Sequence, residues 1–130
     1  MIKAFEILIP DEKIELLHRK IDLTRWPDEV NDERWTLGAK KSYLEGAVET
    51  WRNGFDWRKH EAKLNEAGSF KFKTESGLEL HYLHKKSGSK NAIPLLLTHG
   101  WPGSVQEFLQ IMPLLLNGKD GIEFDVVCPA

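Results

Sequence analysis

The sequence predicts an α/β fold in which an N-terminal helical extension precedes the first strands of a sheet. Apolar residues recur at helical spacing as far as Leu64, and a period of two replaces that spacing from Phe70 to His84. Two short apolar runs then flank a Gly/Pro-rich turn and an amphipathic segment. The change of period falls at Gly68, which gives expected domains of residues 1–68 and 69–130.

In the first domain, Ile14, Leu17 and Ile21 share one helical face behind Asp11 and Glu12, two acids suited to a helix N-terminus. Leu23 to Asp28 must leave helical geometry because Pro27 disfavours a helical residue before it, so this stretch is expected to run extended over another surface. From Leu37 onward, Leu44, Val48 and Trp51 line a second helix, with Lys40, Lys41 and Glu45 off that face and Asn53-Gly54 at its end. Asp56 is placed to cap a third helix, in which Trp57, Glu61 and Leu64 share a face before Gly68 stops it. The tryptophans of this region read as packing residues.

In the second domain, Phe70, Phe72 and Thr74 alternate with lysines. Glu75-Ser76-Gly77 then turns the chain into Leu78, Leu80, Tyr82 and His84, an antiparallel hairpin. Ile93 to Thr98 is apolar on both faces, as expected of a central strand covered on both sides, with Pro94 tolerable near its start. Ser104 and Glu107 form a capping box for a helix carrying Phe108, Ile111, Met112 and Leu115, and Pro113 should kink or restart it. Phe124 to Cys128 reads as a further strand, so the last three elements make a right-handed βαβ unit with parallel strands. A sheet this small reads as cut off. If Phe124 to Cys128 is central, its unpaired donors would favour self-association through the unfinished sheet.

Composition narrows the function. With 18 basic and 20 acidic residues spread along the chain, there is no charge footprint for nucleic acid or an anionic membrane. Cys128 is the only cysteine, which excludes an internal disulfide and a cysteine-ligated zinc site and suits a reducing cytoplasm. Ile7-Leu8-Ile9 is too short an apolar patch for a signal segment, and no run approaches the length of a membrane span. A cytoplasmic location is therefore expected.

The candidate site is His99-Gly100-Trp101-Pro102-Gly103-Ser104, where an apolar strand breaks into a Gly/Pro turn and a helix opens. Ligands of open α/β sheets bind beyond the carboxyl ends of parallel strands, so backbone N–H groups here can be aimed at a substrate. The four residues His99 to Pro102, taken alone, fit a tight connection with a satisfied histidine equally well. In its surroundings, H-G-W-P-G-S resembles the H-G-x-P loop of α/β-hydrolase-fold epoxide hydrolases, in the form of the microsomal and juvenile-hormone branch. Leu78 to His84, Pro94 to Thr98 and Phe124 to Pro129 resemble the strands around that loop. Arg25-Trp26-Pro27 and Phe55-Asp56-Trp57-Arg58 resemble the branch's N-terminal extension.

The resemblance implies that the Trp101 backbone N–H contributes to an oxyanion hole, that the bond before Pro102 is cis, and that His99, Gly100 and Pro102 shape the loop. It implies a small-molecule epoxide as substrate, water as co-substrate and no metal or organic cofactor. It also implies an aspartate on a nucleophile elbow, tyrosines in a cap and a His-acid pair that activates water. The sequence contains no G-x-S-x-G or G-x-D-x-G, so none of these groups is placed and the isolated chain is expected to be inactive. Gly54-Phe55-Asp56-Trp57-Arg58 imitates an elbow but lacks the closing glycine and lies between helices. His81 and His84, three apart on a strand, face opposite sides and suit packing better than a shared metal. His18 and His60 lack suitably spaced partners. An esterase or dehalogenase of the same fold, whose downstream elbow would differ, is a second reading, and a non-catalytic fragment or interaction module is a third.

Overall fold

In the computed structural model, which describes residues 1–30 and 35–130, the chain divides into two compact units, Met1–Leu8 with Arg58–Ala130 and Ile9–Trp57. The division differs from a single boundary at residue 68 because the first residues form a strand that joins the sheet, and because the third helix and the turn after it carry Leu64 and Ala67 into the sheet's core. Neither event has a local signature in the sequence.

The smaller unit holds α1 (Asp11–Asp22) and α2 (Lys41–Asn53). Ile14, Leu17 and Ile21 are half-buried on α1, the face their spacing defines. On α2 only Val48 of the expected stripe is half-buried, and Leu44 and Trp51 are exposed. The Arg52 guanidinium donates to both Asp22 carboxylate oxygens, at 2.8 and 3.2 Å, tying the end of α1 to the end of α2. That hydrogen-bonded pairing holds the Asp22 carboxyl below its usual value. Residues 24–30 run without regular structure, as Pro27 requires.

The larger unit contains β1 (Ile2–Ala4), α3 (Trp57–Glu66), β2 (Ser69–Lys73), β3 (Glu79–Lys85), β4 (Ile93–Leu96), α4 (Met112–Asn117) and β5 (Phe124–Pro129), with a 3₁₀ turn at Val105–Phe108. Asp56 immediately precedes α3. The strands form one sheet in the order β1-β2-β3-β5-β4, antiparallel except for the parallel pair β4 and β5. The β2–β3 hairpin closes through Thr74-Glu75-Ser76-Gly77, with Gly77 N–H donating to the Thr74 carbonyl.

On one face of the sheet, Leu83, Val126 and Cys128 are fully buried and meet Leu64 from α3, Ala67 from the turn after it, Val105 from the 3₁₀ turn and Met112 from α4. Alternation puts Phe70, Tyr82 and His84 on the other face, where Phe70 stacks on Tyr82 at 5.7 Å. That face is only partly covered. Within the described residues β4 lies at one end of the strand order, with Leu96 62% exposed. One sequence expectation is corrected. β5 is paired on both sides, by β3 and β4, so the open edge belongs to β4 and not to Phe124–Cys128.

Gly68 links α3 to β2 at φ +84°, and its carbonyl accepts the His84 N–H at 2.8 Å. An added Cβ would collide with the His84 carbonyl oxygen, so both conformation and space demand glycine. At the centre of the core, Leu83→Ala is expected to lower unfolding free energy by about 2–5 kcal/mol, the range for a buried leucine that leaves a cavity. Urea unfolding should show the loss as a shift of midpoint at unchanged slope.

Candidate functional site

The site begins where β4 ends. Its parallel ladder with β5 extends one step further, from Leu97 N–H to the Val127 carbonyl at 2.9 Å, and the chain then leaves the sheet at the carboxyl end of β4. Thr98 to Ser104 forms a loop closed on itself by Gly103 N–H donating to the Gly100 carbonyl at 2.6 Å. His99 Nδ1 lies 3.1 Å from the same carbonyl, so in the Nδ1–H tautomer the imidazole ties down its own loop. The Trp101–Pro102 peptide is cis.

The loop's exit is fixed by Ser104. Its N–H donates to Glu107 Oε1 at 3.0 Å and its Oγ accepts the Gln106 N–H at 3.3 Å, the reciprocal capping box expected from Ser104 and Glu107. Val105 follows directly and is buried in the core. The expected helix is interrupted: a 3₁₀ turn runs to Phe108, and α4 starts at Met112 with Pro113 in its first turn, where the missing N–H has no intrahelical acceptor to lose. Both ends of the loop are thus anchored, one by a strand ladder and one by a capped turn over a buried valine.

Between these anchors, the Trp101 indole is 96% exposed. Among the described residues, the Trp101 N–H meets no hydrogen-bond acceptor. A backbone donor held in a fixed loop and left without an internal partner is available to an oxygen of a bound molecule. His99, Gly100, Trp101 and Pro102 are contiguous, and the structure brings no second chemical group of the larger unit into hydrogen bonding with them beyond the loop's own atoms.

The sequence places Gly103 in the loop but gives it no role of its own. A Cβ there would run into the Glu107 carboxylate and lie 2.7 Å from the Gly100 carbonyl oxygen, so the capping box and the loop closure share space that only glycine leaves free. The Ser69–His81 contact was also missed, because the two are twelve residues apart and meet only through the hairpin register. Ser69 Oγ lies 2.7 Å from His81 Nε2, and the His81 ring stands edge-on to Phe5 at 5.6 Å. Ser69 is buried, which makes this pair a polar tie within the sheet and not an accessible nucleophile. His84 lies on the opposite face beside Phe70, as the spacing requires. The Cys128 thiol is buried, and that burial raises its pKa away from the reactive thiolate. Among the described residues, no three His, Cys, Asp or Glu side chains gather as a metal site would need, and no helix is long and apolar enough to cross a membrane.

A hairpin beside a parallel strand pair, with a cis-proline loop leading from one of those strands into a capped turn and helix, defines the opening portion of an α/β-hydrolase domain. Comparison with known proteins agrees. The family described as "Epoxide hydrolase N terminus" matches residues 2–108. A putative epoxide hydrolase of Stigmatella aurantiaca is 42% identical over an alignment covering 99% of this chain and 30% of its own length. Epoxide hydrolase 1 of Sus scrofa is 39% identical over the same shares. The crystal structure of juvenile hormone epoxide hydrolase from the silkworm Bombyx mori superposes on the whole chain with a TM-score of 0.88 at 26% identity, and the chain covers 36% of it. This chain belongs to the epoxide hydrolase family. It spans about 30% of the length of the curated relatives it matches.

Two expectations follow from the site and its surroundings. Gly103→Ala should lower stability by about 1–3 kcal/mol, as overpacking does, and amide exchange should show the loss of protection concentrated at Gly103 and Ser104 N–H. For His81, burial and then the Lys71 ammonium lower the pKa below the ordinary 6.5. The folded state therefore favours neutral imidazole, and the stability this contributes is present above pH 6.5 and lost as pH falls through the lowered value. Melting temperature should fall more steeply on acidification in the native protein than in His81→Asn, which keeps a polar side chain but does not titrate. Equal slopes would remove His81 as the cause.

Proposed function

We propose that this chain is the N-terminal portion of an enzyme that adds water to epoxides to give vicinal diols, and that the Trp101 N–H is one donor of its oxyanion hole. The observation that carries the reading is the Trp101 N–H itself, without an acceptor among the described residues, in an anchored loop beyond the carboxyl end of β4, on a chain that aligns almost end to end with epoxide hydrolases.

In the proposed reaction, an aspartate carboxylate on a nucleophile elbow attacks an epoxide carbon, and the C–O bond that breaks leaves an oxygen that takes a proton from a cap tyrosine. A His-acid pair then deprotonates water, which adds to the ester carbonyl. The Trp101 N–H hydrogen-bonds the oxyanion of that tetrahedral intermediate. Its collapse expels the diol oxygen, which takes the proton of the carboxylic acid left behind, so that the carboxylate is restored while the histidine's proton returns to the tyrosinate. His99, Gly100 and Pro102 give the loop its shape. Water is the co-substrate, and the scheme needs no organic cofactor or metal.

Replacing the Trp101 amide by a backbone ester, in a chain extended through an elbow and cap, removes the N–H while keeping the indole. Hydrolysis of the covalent ester is expected to slow by about 10²–10³-fold, as for loss of one oxyanion donor, and the ester should accumulate in a single turnover. Trp101→Ala keeps the N–H and should leave that step much faster than the backbone ester does. The 130-residue chain alone should turn over no styrene-type oxide. Turnover by the short chain, or product oxygen taken directly from heavy-oxygen water in a single turnover of the longer one, would refute the scheme.

A further inference from the structure

A groove of about 730 Å³ runs between α3 and α4 across the end of β3, away from the His99–Pro102 loop. Leu109, Met112 and Leu116 contribute apolar surface to its lining, and Met112 lies deepest, being 2% exposed. Its rim is basic. Lys63 of α3 and Lys85 and Lys86 at the end of β3 line it, against one carboxylate, Glu66. Lys85 Nζ donates to the Glu66 backbone carbonyl at 2.7 Å, which holds that ammonium at the edge. Among the described residues, Lys63 and Lys86 are in no ion pair. The chain as a whole carries a formal charge of −2, so this concentration of lysines runs against its overall balance.

From this apolar floor and unpaired basic rim, we infer that the groove docks an acidic amphipathic helix of a partner protein. The charges on the rim select carboxylates, and the floor selects an apolar stripe between them. A helix fits better than an extended strand because β3 is already paired by β2 and β5 and offers no free backbone edge to the groove. A helix satisfies its own backbone and needs only side-chain contacts. A bilayer fits less well, since the apolar surface is recessed between two helices and a flat surface would meet the lysines first.

The test uses the full-length protein and a labelled synthetic helix with leucines at i, i+3, i+4 and i+7 flanked by glutamates, followed by fluorescence anisotropy at several salt concentrations. A control helix keeps the leucines and replaces the glutamates with lysines. The acidic helix is expected to bind, the basic one to bind at least about tenfold more weakly, and the double substitution Lys63→Glu with Lys86→Glu to weaken the acidic helix by a similar factor. Unchanged circular dichroism and melting temperature establish that the variant is folded. Leu109→Glu, which alters the floor and leaves the lysines in place, should also weaken binding. No binding to the full-length protein, equal binding of both helices, or undiminished binding to the folded variants would overturn the assignment. So would association with phosphatidylserine vesicles in the absence of helix binding, which would make the lysines a membrane contact.

Discussion

The placement of β5 between β3 and β4 is the constraint on which the larger unit depends. Antiparallel pairing to β3 sets Cys128 against Leu83, and parallel pairing to β4 sets Val126 against Leu95. Both Val126 and Cys128 are fully buried, while the alternating Asp125 turns the other way and its carboxylate accepts the Ser87 N–H at 2.9 Å. A slip of one residue would exchange these faces and drive Asp125 into the core. Burying that carboxylate unpaired would cost several kcal/mol, more than the few that a single apolar side chain contributes by burial. The register is therefore decided by chemistry on both faces at once. Because β4 is locked to β5, the point at which the chain leaves the sheet toward His99 is decided with it.

Local interactions made the candidate site readable from the sequence. The capping box of Ser104 and Glu107 spans three residues, the Gly100–Gly103 closure spans three, and the apolar run before the loop is continuous. The restart of the helix at Pro113 is equally local, because the ring removes a donor at a fixed position. Interactions of this range leave a mark in the order of residues. The 3₁₀ geometry of Val105–Phe108 does not, since its apolar residues suit an α-helix as well and the difference lies in how the turn settles over the core.

What the sequence did not reveal depends on partners far along the chain. Ile2-Lys3-Ala4 has no strand pattern of its own and becomes β1 only because β2 presents an edge to it. The clasp that follows is assembled in the same way. Phe5 sits against His81 and beneath Lys71, whose Nζ lies 4.2 Å from the ring centroid, and Asn65 exchanges two hydrogen bonds of 2.8 Å with the Ile7 backbone. For β4, the apolar run Ile93 to Leu97 marks a strand without marking what lies against it. Ser69 and His81 are unremarkable apart; the hairpin register makes them a pair.

The functional consequence lies in how the loop is held. A backbone donor stabilises developing charge most when it is already aimed, since no reorganisation then subtracts from the interaction. Here the loop carries few buried side chains of its own, and the Trp101 indole is almost wholly exposed, so the loop does not owe its position to the packing of its own residues. Its position comes from the β4–β5 ladder on one side and from the Ser104 cap over Val105 on the other. Val126, Cys128 and Val105 belong to one apolar cluster, which makes the two anchors parts of a single packed body. A cavity at Val105 or Val126, which belong to the two anchors, is therefore expected to loosen the hold on the loop without touching it. In this segment, the packing that stabilises the fold and the aim of the proposed catalytic dipole are consequently coupled through one apolar cluster.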